Sequence, residues 1–198
     1  MNRLIVILWC VLFQQSVIAT ESVPEKLIRN TSDQLLSQIR SNPGQFQRDP
    51  AKLYALVDEV VLPHFDFTTM TDLALGRYKS KVSAEQKQLI TNEFRTLLVR
   101  TYAKALLEYN NQKIIYLPTE GSLEGGDVTV RTEIEQAGGF PIPLNYSLKR
   151  RKQAWKVYDI SVDDISLVTN YRSSFSREIR KNGVDGLIKT LHERNQDL

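Results

Sequence analysis

Apolar residues recur every three or four positions through the first half of the chain and every two positions after Tyr109. In residues 24–41, Leu27, Ile28, Leu35, Leu36 and Ile39 share a stripe, which predicts an amphipathic helix stopped by Asn42-Pro43-Gly44. A second helix is expected from Asp49, carried by Leu53, Leu56, Val57, Val60 and Val61 and ended by Pro63. The run "HFDFTTMTDLALGRY" reads as a short helix closing near Gly76. The longest pattern, with Phe94, Leu97, Leu98, Thr101, Tyr102, Ala105 and Leu106, opens on Ser83 followed by Gln86, a capping box.

Beyond Tyr109 the runs "KIIYLP", "DVTVRTEIEQ", "PIPLNYSLKRR" and "AWKVYDISV" predict four strands, with "EGSLEGGD", "AGGF" and "RRKQ" as the turns between antiparallel neighbours. Val128, Val130, Thr132 and Ile134 alternate with Arg131, Glu133 and Glu135, so one face of the sheet is expected to be wet. Ile142, Leu144, Tyr146 and Leu148 repeat the arrangement. Two closing helices are expected, from Ile165 to about Lys181 and from Val184 to about Arg194, with Gly183 between them. Helices, a four-stranded meander and more helices define an α+β chain. Most inner faces of this kind are filled core, and periodicity by itself favours filling over an open centre.

The amino terminus changes the picture of where the protein works. "MNRLIVILWCVLFQQSVIA" has one early cation, Arg3, a short apolar run and small residues near Ala19, the form of a secretory signal peptide (1–19) cleaved after Ala19. The apolar run is too short for a bilayer, which needs ~20 residues. Removing it takes away Arg3 alone among the charged residues, so the formal net charge falls from +3 to +2, and it also removes Cys10, the single cysteine. The remaining 20–198 is expected to be one exported, thiol-free domain in the periplasm. Near-balanced charge and no aromatic-basic interleaving argue against nucleic acid.

Candidate chemistry is sparse. His64 and His192 lie far apart without metal-ligand spacing, and there is no nucleophile elbow or phosphate loop, so neither a catalytic nor a metal site is expected. Asp159, Asp163 and Asp164 cluster where the last strand gives way to a helix. Asp164 is the expected N-cap of the helix at Ile165. Asp159 is the most open of the three, able to face a pocket or to bond backbone or a cation. The basic run Lys149, Arg150, Arg151 and Lys152 is expected at a hairpin tip, as a solvated turn or as a docking patch for an acidic partner or anionic headgroups.

Three separated blocks, 61–106, "WKVYDISVDDISLVTNYRSSF" (155–175) and "GVDGLIKTL" (183–191), closely resemble the MlaC family of toluene-tolerance proteins, in the same order over nearly the whole exported chain. Residues 121–141 match least. The resemblance implies an NTF2-like fold with helices wrapped on a four-stranded antiparallel sheet and an apolar cavity between them. It implies a phospholipid as cargo, no cofactor and no catalytic residues. It further implies a shuttle between an outer-membrane lipoprotein-porin complex and an inner-membrane ABC transporter with its MCE-domain subunit, maintaining outer-membrane lipid asymmetry. The candidate cavity lining is then Val128, Val130, Ile134, Leu144, Tyr146 and Tyr158 from the strands, with Phe67, Leu97, Val168 and Tyr171 from the helices.

The need for such a carrier follows from solvation. Exposing an acyl chain to water costs ~0.8 kcal/mol per methylene, so two chains cost on the order of 20 kcal/mol. Three other readings compete: a carrier of hopanoids or other polycyclic lipids, an NTF2-like enzyme with Asp159 as its base, and an adaptor with a packed core.

Overall fold

The computed structural model describes residues 21–42, 44–109, 111–152 and 154–197. The expected signal peptide and Cys10 lie outside the described residues. Among the described residues six helices, α1 (Val23–Ser41), α2 (Gln45–Arg48), α3 (Pro50–Val60), α4 (Phe67–Leu75), α5 (Ala84–Leu107) and α6 (Leu167–Asp197), are joined to strands β1 (Ile114–Tyr116), β2 (Glu120–Ser122), β3 (Asp127–Ile134), β4 (Ile142–Arg151), β5 (Ala154–Val162) and β6 (Ile165–Ser166). Short 3-10 segments, Leu62–His64 and Gly76–Lys81, flank α4.

The helix starts follow their capping chemistry. The Ser83 hydroxyl accepts from Gln86 N at 3.1 Å while the Gln86 side chain accepts from Ser83 N at 3.1 Å, closing the capping box. Asp66 accepts from Thr69 N at 2.9 Å to start α4. In α6 the helical path breaks at Gly183, whose φ of 74° and ψ of −176° suit glycine alone, so two helical segments run on from one another as the sequence pattern expects.

All strand pairs are antiparallel, in the order β1-β3-β4-β5-β6, with β2 beside β1 on the outer edge of β3. Among the described residues the sheet thus has six strands where the sequence pattern suggests four. Two strands are additional: β2 lies within "EGSLEGGD", read as a turn, and is ordered by its pairing with Thr129, Val128 and Asp127, while β6 takes Ile165 and Ser166, expected as the helix start, and pairs them with Val162 and Ser161 of β5. The far edge of β5 is covered twice, by β6 and by Phe65, which pairs in parallel with Val157.

Register stacks the inward side chains in rows: Val128 with Leu148 and Val157, Val130 with Tyr146 and Ile160, and Thr132 with Leu144 and Val162. The opposite face is wet, with Arg131 paired to Glu120 at 2.6 Å and Lys149 to Asp127 at 3.7 Å. A bulge in β5, opposite the Ser147–Leu148 step, shifts the alternation by one, so Trp155 and Val157 point inward before it and Ile160 and Val162 after it.

The apolar interior divides into three clusters. Met70, Phe94, Phe175 and Leu187 close a helical core among α4, α5 and α6. Leu53, Leu56 and Val60 of α3 pack with Leu35, Phe46 and Ala103. Val128, Val130, Leu148, Trp155 and Val157 of the sheet pack with Ile28 of α1.

Candidate functional site

The clusters meet around two aromatics. Phe65 packs against both the helical core and the sheet cluster, and Phe67 against the helical core and the α3 cluster. Their rings stack at 5.7 Å between centroids. The pair flanks Asp66, which is tied to the sheet by Asp66 N donating to Val157 O at 2.8 Å. On the sheet side, α1 crosses β3 while α4 and α6 lean on β5. Between those supports the inner side chains of β4 and β5, Leu144, Tyr146, Ile160 and Val162, stay half-buried.

The row continues to Ile142, 38% exposed, and Ile165, 62% exposed. This seam is therefore aliphatic and aromatic throughout, closed at its Leu148–Val157 end and open at its Ile142–Ile165 end. Two further grooves, of about 360 Å³ beside Ile39, Phe46 and Leu107 and about 310 Å³ beside Tyr54, Arg95 and Val99, lie among the helices.

The candidate lining residues separate into three groups. Val128, Val130, Leu97 and Val168 are buried within clusters. Ile134, Leu144, Tyr146 and Phe67 are half-buried at or beside the seam, whereas Tyr171 lies away from it, half-buried against the helical core between Phe94 and Phe175. Burial drives the Tyr146 hydroxyl well above the ordinary phenol range, against a hydrogen bond with Ser32 of α1. Tyr171 is pushed up to about 12 by burial and by neighbouring Tyr102, and its ring meets Phe94 edge-on at 4.9 Å.

Tyr158 is a correction. Its hydroxyl donates to Asp127 at 3.0 Å on the wet face, because the bulge breaks the alternation that links it to Ile160. Ile160 takes the inward place. Phe65 was missed as well; the only sequence signal for it was the period-two "FDF" ahead of α4.

The carboxylate cluster is structural. Asp159 accepts from Ile160 N at 2.8 Å, Val168 N at 3.1 Å and the Ser166 hydroxyl at 2.5 Å, and so holds the first turn of α6 against β5. Ser166, accepting from Thr169 N at 3.0 Å, is the cap, where the sequence suggested Asp164. Asp163 and Asp164 instead have φ of 50° and 62° and form the tight turn between β5 and β6, a conformation that aspartate tolerates through local hydrogen bonding. No group of three or more His, Cys, Asp or Glu side chains among the described residues is arranged to hold a metal ion.

The basic run is largely engaged within the molecule. Arg151 donates to Asp66 at 2.8 Å and to the Thr69 hydroxyl at 2.6 Å, pinning the β4–β5 hairpin to the start of α4. Arg150 lies 5.0 Å over the Trp155 ring and donates to the Leu123 carbonyl. Lys149 pairs with Asp127, and Lys152 takes the left-handed turn position with φ of 54°.

A mixed fold of helices laid on one face of an open antiparallel sheet, with an apolar seam between the layers, is of the NTF2-like α+β class. The chain belongs to the MlaC family, whose model matches residues 29–193. It is 31% identical over 179 residues to the intermembrane phospholipid transport system binding protein MlaC of Haemophilus influenzae, covering 87% of this chain and 82% of that protein. It is 28% identical over 169 residues to the toluene tolerance protein ttg2D of Pseudomonas putida, covering 85% of this chain and 78% of that one. A phospholipid-binding protein from Ralstonia solanacearum, solved in complex with a phospholipid, superposes with a TM-score of 0.79 at 35% identity, over 86% of this chain and 96% of that one.

Proposed function

We propose that this protein is a periplasmic phospholipid carrier that takes lipid between outer-membrane and inner-membrane complexes, the former a lipoprotein-porin assembly and the latter an ABC transporter with an MCE-domain subunit. The observation that carries this reading is the seam. Its residues on β4 and β5 remain apolar, yet along β4 burial is lost progressively from Leu148 toward Ile142, and Ile165 beyond β5 is exposed. A filled core does not leave such a row half-covered, whereas acyl chains laid between α1 and the α4–α6 layer would complete it. The phospholipid-bound relative of the same fold supports phospholipid over a polycyclic cargo.

An enzyme reading is disfavoured by Asp159, whose oxygens are occupied by three donors of the β5–α6 junction and are poorly placed to take a proton from a substrate. The test is native mass spectrometry of protein purified without detergent, then lipid extraction. A stoichiometric phospholipid adduct is expected, and empty protein would overturn the carrier reading. Leu144→Trp, filling the seam at a half-buried position, should lose most of the bound lipid while its melting temperature moves by less than about 4 °C. Unaltered loading in the folded variant would remove Leu144 from the lining.

A further inference from the structure

Apart from the hairpin run, whose arginines are spent within the fold, the structure gathers cations on a face that no single stretch of sequence shows. The solvent side of the first segment of α6 carries Arg172, Arg177, Arg180 and Lys181, all exposed. Successive spacings of five, three and one residues, together with the intervening Ser173 and Ser176, spread these over one half of the helix, with Arg172 at the edge of the buried stripe of Val168, Phe175 and Ile179 and the others farther from it.

The 3-10 segment Gly76–Lys81 lies along the same flank and adds exposed Arg77 and Lys81. Contact between the two elements is close: a Cβ at Gly76 would stand 2.6 Å from Arg172 Nε, so only glycine lets the guanidinium cross there. Tyr78 between them points into the core, with Arg77 and Lys81 stacked over its ring at 5.1 and 5.9 Å.

Among the described residues, none of these six cations is within ion-pairing reach of a carboxylate. Asp72, the acid beside the segment, is taken by Lys79 at 2.7 Å and Lys87 at 2.5 Å. Glu178, on the opposite flank of α6, is held by Asn182 and Thr190 and feels Lys181 only through its field. Against a whole-chain formal charge of +3, six unpaired cations on one face make a strongly oriented charge distribution.

We propose that this face, Arg77 and Lys81 with Arg172, Arg177, Arg180 and Lys181, seats the protein on the surface of an anionic phospholipid bilayer. The chemistry favours a bilayer over an acidic protein. Protein interfaces are built around an apolar core from which charge is depleted. This face offers no exposed large apolar residue within either element. Spread cations without a socket fit mobile phosphate headgroups, each cation gaining on the order of 1 kcal/mol near such a surface. Four of the six are arginines, whose planar fork binds phosphate oxygens in pairs. The inference goes beyond the carrier reading and does not depend on what cargo the seam holds.

The test is co-sedimentation of the full protein with vesicles of phosphatidylcholine alone or mixed with phosphatidylglycerol, over a range of salt. Binding is expected only to the mixed vesicles and should weaken as salt shortens the Debye length. Arg177→Glu/Arg180→Glu/Lys181→Glu should lower the partition coefficient on the order of a hundredfold. Lys26→Glu/Lys52→Glu/Lys113→Glu, with the same change in net charge at exposed positions elsewhere, should retain most of it. Equal loss in both triple variants would overturn the face in favour of net charge. Wild-type protein that stays in the supernatant with anionic vesicles at low salt would overturn the bilayer as its partner, and binding to an acidic protein would then be the reading left standing. Extracted cargo and thermal melting, measured alongside, separate failure here from failure to carry lipid or to fold.

Discussion

At one end of the sheet's inner face Leu148 and Val157 are wholly buried, whereas about 20 Å away along the strand direction Ile142 of β4 and Ile165 of β6 keep 38% and 62% of their surface in contact with solvent. The residue types are the same at both ends. What differs is cover. The buried end lies under Ile28 of α1 and beside Phe65, with the β4–β5 hairpin pinned to α4 by Arg151. The open end has β6 and the β3–β4 turn around it, and that turn carries Phe140 at 94% exposure. The difference teaches that an alternating strand specifies which way its side chains point and leaves open whether anything meets them.

The sharpest way to break the comparison is to truncate the same residue type at both ends. Leu148→Ala removes a fully buried side chain from a closed cluster and should cost about 3 kcal/mol, within the 2–5 kcal/mol range of such changes. Leu144→Ala should cost about 1 kcal/mol or less in protein stripped of lipid, since part of its surface is already hydrated. Thermal or urea unfolding of the two variants measures the contrast. Equal losses would mean that the seam is ordinary core and that the half-buried row has no special role.

Much of this arrangement was legible in the sequence because it depends on local pattern. The capping box at Ser83, the glycine break at Gly183 and the inward parity of Val128, Val130 and Thr132 each rest on a few neighbouring residues. The errors arose where a distant partner decides. Unbroken alternation would put Tyr158 on the same face as Ile160 and Val162, but the bulge reverses the parity there. A bulge depends on both strands, and one strand's residues do not announce it. Asp164 looked like a cap because it precedes an apolar run, yet Val162 pairs with Ile165, and the turn this pairing requires takes up both Asp163 and Asp164. The basic run of residues 149–152 is conspicuous by adjacency in the chain, whereas the cations of the α6 face that lack carboxylate partners come from two elements about a hundred residues apart and form no run. Proximity in space, which leaves no compositional trace, decided which cations were free.

Between the two ends stands Asp159, the junction of sheet and α6. Asp159→Asn keeps the shape and loses the charge as well as half of the acceptor capacity. The three donors it serves make a loss of about 2 kcal/mol the expected result, with faster hydrogen exchange at Ile160 and Val168. Lipid loading should persist in the folded fraction, since the carboxylate serves the helix start and makes no demand on cargo. Unaltered exchange at Val168 would remove Asp159 from its role as the anchor of α6.

The smallest effect concerns what keeps the closed end closed. Burial alone would raise the Asp66 carboxyl, but its hydrogen bonds from Thr69 and from Arg151 outweigh that and hold it below the usual carboxylate range. A carboxyl whose folded pKa is depressed stabilises the fold above its unfolded value of about 3.9, and that contribution is lost as pH falls through the lower folded value. Arg151 is half-exposed, so solvent screens its share, and Arg151→Ala should cost only about 0.5 kcal/mol at neutral pH. The gap between variant and wild type should then shrink as acid protonates Asp66, and it should also shrink with added salt at neutral pH. A gap that is constant down to strongly acid conditions would assign the cost to lost packing of the arginine stem against α4. The hairpin would then be held by its shape, and the ion pair would play no part in separating the closed end of the seam from the open one.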